Sequence, residues 1–143
     1  VIAFDIDGVL ADARHREHHL ARRPKDWEGF FAEARQDEPI AAGRQALLDA
    51  LEGETVVLIS GRPERLRQAT VDWLAEHGFP QVQVFLRRDI DHRPASVVKA
   101  EMLAGLGGPL KVSQVRDDDP AVVAALQSLG YRAILVEPLP STS

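Results

Sequence analysis

A chain of 143 residues, 45% of them hydrophobic, suffices for one globular domain with a real core. The absence of cysteine excludes disulfides and thiolate metal sites, and no apolar run or leader pattern points to a membrane or to secretion, so a cytoplasmic setting is expected. A net charge of −5 argues against a surface coated in nucleic acid, although the basic residues are unevenly placed.

The chain opens inside a strand, VIAFDI (1–6), so it reads as a trimmed start or as one domain of something longer. A polar stretch follows, helical in parts and interrupted by Pro24, with Trp27, Phe30 and Phe31 spaced for one helix face. Residues 41–51 predict an amphipathic helix stopped by Gly53. TVVLIS (55–60) is continuous and β-branched, as a strand covered on both faces would be. A helix is predicted from Pro63 to His77, ended by Gly78, then a strand VQVFL (82–86) and a helix from Pro94 to Leu106. LKVSQV (110–115) predicts a strand, Pro120 to Leu129 a helix, RAILV (132–136) the last strand, and PLPSTS (138–143) a loose tail.

Alternating strands and helices predict an α/β fold, a Rossmann-like doubly wound parallel sheet of about five strands. There is no internal repeat and no low-complexity segment, so residues 1–143 are expected to form a single domain. In such sheets ligands bind beyond the carboxyl ends of the strands, where strand order reverses. Asp5 and Asp7 follow the first strand, Ser60, Gly61 and Arg62 end the second, and Arg87, Arg88 and Asp89 follow the third. Asp117, Asp118 and Asp119 follow the fourth, and Lys99 lies on the helix before it. A parallel sheet would gather most of these distant segments at one edge.

Crowded carboxylates repel one another and need a counter-charge, which a hard divalent cation with oxygen ligands supplies, Mg²⁺ where phosphate is also bound. One carboxylate aimed at substrate can be a nucleophile, and a neighbour two residues on can serve as general acid and base. Ser60 and adjoining N–H groups suit phosphate oxygens, and Lys99 suits the charge of a transferred phosphoryl group.

D-x-D-G-V (5–9), Ser60 after an apolar strand, Lys99 and the acidic pair 117–118 resemble, in order, the four motifs of the haloacid dehalogenase superfamily of phosphatases. The resemblance implies Asp5 as nucleophile, Asp7 as general acid/base, Ser60 as a phosphate ligand and Lys99 as the motif-three lysine. It also implies Mg²⁺ held by the Asp5 side chain, the Asp7 carbonyl and Asp118, with Asp117 nearby. Within the superfamily the chain is most similar to the 3′-phosphatase domain of bacteriophage-type polynucleotide kinases. The local points are Arg16 eleven residues after Asp5, SGR at 60–62, T-x-x-W-L at 70–74, D-x-R-x-x-x-V-V-K from Asp91 to Lys99, and DD-x-x-x-VV from Asp117. This places Arg16, Arg62 and Arg93, with Gly61, among the phosphate-binding residues, and implies DNA or RNA 3′ ends as substrates of a monomer. The chain departs from the family at Ala95, where an acid stands four before the lysine, and at Val9 in place of a threonine.

Little chain is spare for an inserted lid, so a minimal cap is expected, built at most from residues 12–38. An open site would admit a nucleic-acid end. Arg14, Arg16, Arg22, Arg23 and Lys25, with Arg87, Arg88 and Arg93, could rim it and steer a polyanion. The aromatic trio at 27–31 reads as packing rather than as a base-stacking platform. His15, His18 and His19 share one helical side, but no further residue has an evident claim to complete a zinc site. D-x-D-G also resembles a calcium-loop fragment, but the third acidic position and the distal Glu are missing. The alternatives to an end-processing phosphatase are the same chemistry on a nucleotide or metabolite and, against the full set of site residues, a non-catalytic binding module.

Overall fold

Ala3 and Phe4 are both fully buried, as are Leu58 and Ile59, so the two strands that carry them must be covered on both faces. A computed structural model describes residues 1–137 and 139; apart from Leu139, the expected tail lies outside the described residues. Strand β1 (Ile2–Phe4) is central. It pairs in parallel with β4 (Val56–Pro63) on one side and β6 (Gln114–Asp117) on the other. β5 (Gln83–Arg87) adds beyond β4 and β7 (Ala133–Leu135) beyond β6, giving the order β5-β4-β1-β6-β7. The expected doubly wound, five-stranded parallel sheet is therefore the fold, and the strand order reverses between β1 and β6.

Phe4 and Leu58 face one side, packed with Leu47 of helix α2 (Ala41–Leu51) and Trp73 and Leu74 of α3 (Arg67–Glu76). Ala3, Val57 and Val115 face the other, packed with Leu103 of α4 (Ala95–Gly105) and Val122 and Leu126 of α5 (Pro120–Ser128). The strand period of two thus feeds two separate apolar layers. No helix of the described residues is long and apolar enough to cross a membrane.

Two boundaries depart from the sequence reading. The strand expected at 110–115 is Gln114–Asp117, because Gly107 and Gly108 both take positive φ and lead into a 3₁₀ turn at Gly108–Leu110. Leu110 is left 96% exposed. The helix expected from Pro63 begins later: β4 stays extended through Pro63, a 3₁₀ turn occupies Glu64–Leu66, and α3 starts at Arg67.

The polar stretch after β1 is an excursion closed at its base by a two-stranded antiparallel pair, β2 (Ala11–Asp12) with β3 (Glu38–Pro39). Between them lie a 3₁₀ helix, Arg14–His19, the short α1 (Trp27–Ala32) and a 3₁₀ turn, Ala34–Gln36. At the foot of the excursion α2 comes against the chain after β1: a Cβ at Gly43 would lie 1.8 Å from the Val9 carbonyl oxygen. Backbone cannot yield as a flexible side chain can. Gly43→Ala is therefore expected to destabilise the protein by about 1–3 kcal/mol despite its better helix propensity, read as a lowered denaturation midpoint.

Candidate active site

Because β1 and β6 are neighbours, the residues that follow them meet: the Asp5 N–H donates to the Arg116 carbonyl at 2.9 Å. Asp5, Asp117 and Asp118 place carboxylate oxygens within 4.8 Å of one another. The Lys99 ammonium, brought in by α4, lies 3.0 Å from Asp5 and 2.6 Å from Asp117. Gly8, at φ 84°, makes this possible, since a Cβ there would sit 1.8 Å from an Asp118 oxygen. The sequence motif glycine is thus the space that Asp118 fills.

Burial pushes the Asp5 carboxyl well above its usual range, Lys99 offsets part of the rise, and Asp117, Asp118 and Asp7 add to it. Burial, and then repulsion from Asp117, pushes Asp118 up to about 6. Burial also disfavours the Lys99 charge, but Asp5 and Asp117 outweigh it and hold the ammonium above its ordinary pKa. Three carboxylates against one ammonium leave two formal negative charges, and the donors are all oxygen. That donor set fits a hard divalent cation such as Mg²⁺.

Asp7, two residues on, belongs to a second charged cluster. Its carboxylate accepts from Arg16 Nη2 at 2.6 Å and from Arg62 Nη2 at 2.7 Å and Nε at 3.2 Å. Burial would raise the Asp7 pKa, but the Arg62 and Arg16 guanidiniums prevail and bring it down to about 2. The same two arginines share Asp37, which is fully enclosed and accepts from Arg16 Nε at 2.8 Å and Nη2 at 2.7 Å, and from Arg62 Nη2 at 3.4 Å. Sequence reasoning missed Asp37. The one available signal was arithmetic: two motif arginines buried beside one aspartate require a second acid. The T-x-x-W-L segment supports this cluster from α3, where Thr70 Oγ1 accepts from Arg62 Nη1 at 3.1 Å and Trp73 Nε1 donates to the Asp37 carbonyl at 2.9 Å.

A cleft of about 810 Å³ opens over both clusters, with Asp5, Asp7, Arg62, Lys99 and Asp118 on its floor. Other expected residues stand differently. Gly61 lines the cleft; Ser60 is fully buried, and its Oγ accepts from the Arg62 N–H at 3.0 Å. Arg16, expected on a basic rim, is wholly buried beneath the Phe30 ring, with its guanidinium 4.2 Å from the centroid. Arg93 is not brought to the cleft, because Asp91 at 2.7 Å and Glu101 at 2.6 Å hold it outside. Arg14, paired with Asp12, and Arg87, which donates to the Gly61 carbonyl, do line the cleft, but without Arg16 and Arg93 the basic rim is narrower than the sequence suggested. Ala95 lines the cleft where the resembled family has an acid. Trp27, Phe30 and Phe31 pack on one another as expected, with centroids 5.6–5.9 Å apart, and Trp27 is also 49% exposed on the cleft wall.

The family model described as "Polynucleotide kinase PNKP phosphatase domain" matches residues 1–138. Among solved structures, one titled "Structure of the Pnkp1/Rnl/Hen1 RNA repair complex" aligns at a TM-score of 0.78 with 22% identity, over 95% of this chain and 42% of that one. A hydrolase from Streptococcus pneumoniae TIGR4 aligns at 0.60 with 14% identity, over 96% of this chain and 92% of that one. At such identities the likeness is one of fold. A 42-residue stretch is 38% identical to membrane-associated phosphatidylinositol transfer protein 3 of Mus musculus and Homo sapiens, covering 29% of this chain but only 4% of those proteins.

The raised acids give the cluster a pH signature. Asp118 ionises near 6 in the folded chain against an ordinary 3.8, so its charge opposes folding fully above about pH 6 and not at all below about pH 4. In EDTA at pH 7.5, Asp118→Asn is expected to melt above the unaltered protein, with the difference shrinking toward pH 5. Added Mg²⁺ is expected to raise the melting temperature of the unaltered protein at pH 7.5, less at pH 5, and least in the variant. Scanning calorimetry at the two pH values checks this.

Proposed function

The chain belongs to the polynucleotide kinase phosphatase-domain family, and on that premise we propose that it is a Mg²⁺-dependent phosphomonoester hydrolase acting on the 3′-phosphate of nucleic-acid ends. The observation that carries the reading is the division of labour between Asp5 and Asp7. Asp5 lies with Lys99 and the acidic pair, and Asp7 lies outside that cluster in the grip of two arginines.

In the proposed reaction an Asp5 carboxylate oxygen attacks phosphorus, forming an aspartyl-phosphate as the bond to the ester oxygen breaks. Asp7 gives that oxygen a proton, then takes one from the water that attacks phosphorus and releases phosphate from Asp5. Mg²⁺, held by the Asp5, Asp117 and Asp118 carboxylates and the Asp7 carbonyl, would neutralise charge. Lys99 keeps its proton and offsets charge on Asp5 and the phosphoryl oxygens. The arginines explain how Asp7 can be both acid and base. In the free site they hold it ionised, as a base requires. A phosphate dianion that draws on Arg62, which lines the cleft, weakens that hold and lets Asp7 carry a proton.

The substrate class rests on the walls of the cleft. Trp27 is half exposed on the cleft wall, packed on Phe30 and Phe31 with Lys25 5.8 Å from its ring, so a terminal base could meet its exposed part with a cation near its phosphate. Ala95 puts no acid at the start of α4, so Lys99 is the charge that α4 brings to the cleft. We read residues 12–38 as a small cap that narrows the opening without closing it. A solved structure titled as an RNA repair complex supports the same direction by its fold. A nucleotide or metabolite phosphatase is the second reading, favoured by the narrow basic rim.

Phosphate release with Mg²⁺ separates the two. A 3′-phosphorylated oligonucleotide is expected to exceed its 5′-phosphorylated twin, mononucleotides and an aryl phosphate, with all activity lost in EDTA and in Asp5→Asn. Preference for a mononucleotide would establish the second reading. Trp27→Ala is expected to raise KM for the oligonucleotide by about 5- to 100-fold, as the loss of one stacked base would, and to raise it far less for the aryl phosphate.

A further inference from the structure

The 3₁₀ helix and α1 of the excursion bring together groups that the phosphatase chemistry does not use. His18, His19 and Glu33 each offer a donor atom within 4.8 Å of the others. No further ligand for His15, His18 and His19 is evident in the sequence; the fold turns His15 to Asp37 and brings Glu33, from beyond the end of α1, to the other two. We propose that His18, His19 and Glu33 form a transition-metal site, of zinc type, distinct from the carboxylate cluster at the sheet edge.

The case rests on His19. Its Nδ1 lies 3.2 Å from Asp26 Oδ2, and that carboxylate is itself fixed by the Gly29 N–H, which donates to Oδ1 at 2.9 Å. A histidine whose Nδ1–H is held by a carboxylate presents Nε2 as a lone pair, the usual outer support of a metal-bound imidazole. That Nε2 is shielded from solvent and forms no hydrogen bond, although Glu33 Oε1 is 3.0 Å away. A neutral imidazole would therefore set its lone pair against a carboxylate, an arrangement that asks for a cation. The His18 ring lies against His19, with centroids 4.1 Å apart, and brings the second imidazole.

Gly29 is a further sign that the place is built. A Cβ there would lie 2.3 Å from Asp26 Oδ2 and 2.6 Å from His19 Nδ1, so α1 accepts a glycine in its interior to admit this pair. Two imidazoles and one carboxylate suit Zn²⁺, with water in the fourth position, and suit Mg²⁺ poorly. Tetrahedral donors at zinc bond lengths stand about 3.3 Å apart, a spacing that donors within 4.8 Å of one another reach by side-chain adjustment, His19 and Glu33 starting at 3.0 Å.

The place of the site suggests what it does. Arg16, which holds Asp7 and Asp37, is on the same 3₁₀ helix two residues before His18. Zinc would tie that helix to the far end of α1 and stiffen the clamp on Asp7.

The rival is an imidazolium at His19 bridging Asp26 and Glu33 with no metal and no part for His18. Calorimetric titration of the chelator-stripped chain with ZnCl₂, in excess Mg²⁺, decides between them. One Zn²⁺ per chain is expected, with affinity lowered at least about tenfold in His18→Ala and in Glu33→Gln and kept in Asp118→Asn. His18 is exposed, so its replacement should leave the fold intact, which circular dichroism verifies. Zn²⁺ should also raise the melting temperature of the unaltered chain and not of His18→Ala. No binding at about 100 µM Zn²⁺, affinity unchanged in His18→Ala, or binding lost in Asp118→Asn would each overturn the proposal.

Discussion

Buried charge is the constraint from which the site takes its form. A parallel sheet whose central strand and its neighbour both end in acids concentrates carboxylates where the protein has least water to solvate them. Chain geometry divides the burden. Asp5 goes to a cluster in which anions outnumber cations, with the Lys99 ammonium in contact with Asp5 and Asp117. Asp7 goes to one in which Arg16 and Arg62 balance Asp7 and Asp37 two against two. The first cluster is left under tension and ready for a divalent ion; the second is satisfied and rigid. Two acids one residue apart can thus differ widely in proton affinity, one pushed up and the other held to about 2.

The elements behind the site serve this division. α3 gives up a threonine hydroxyl and an indole N–H to the arginine cluster, and α4 turns Lys99 inward, 4% exposed, at the end of an otherwise apolar face. The two layers of core on either side of the sheet therefore do more than stabilise. Each anchors the helix that delivers one cluster's partner.

Much of this was legible in the sequence. Continuous β-branched strands and the alternation of strand with helix gave the sheet, and the order of the acidic motifs gave Asp5, Asp117, Asp118 and Lys99 as neighbours, because parallel topology leaves them nowhere else to go. What was not legible depended on which partner each long side chain would find. The spacing from Asp5 sets Arg16 apart from Arg14 and Arg22, but only packing under Phe30 makes it the buried guanidinium among them. Arg93 carries a motif position yet is drawn outward by Asp91 and Glu101. Asp37 sits in a polar run with no periodicity to mark it, and the exposure of Trp27 depends on the path of the excursion rather than on its local pattern.

The central place of β1 has a consequence for the order in which the molecule comes into being. Ile2 to Phe4 precede one of their two sheet partners, β6, by more than a hundred residues. Closing so long a loop costs entropy that no local contact repays in advance. Asp5 and Asp7 must therefore remain apart from Lys99 and the 117–118 pair until the chain through β6 has been made. Until then Asp5 and Asp7 lack their setting, and the carboxylate cluster is assembled in one step with the docking of β6 beside β1.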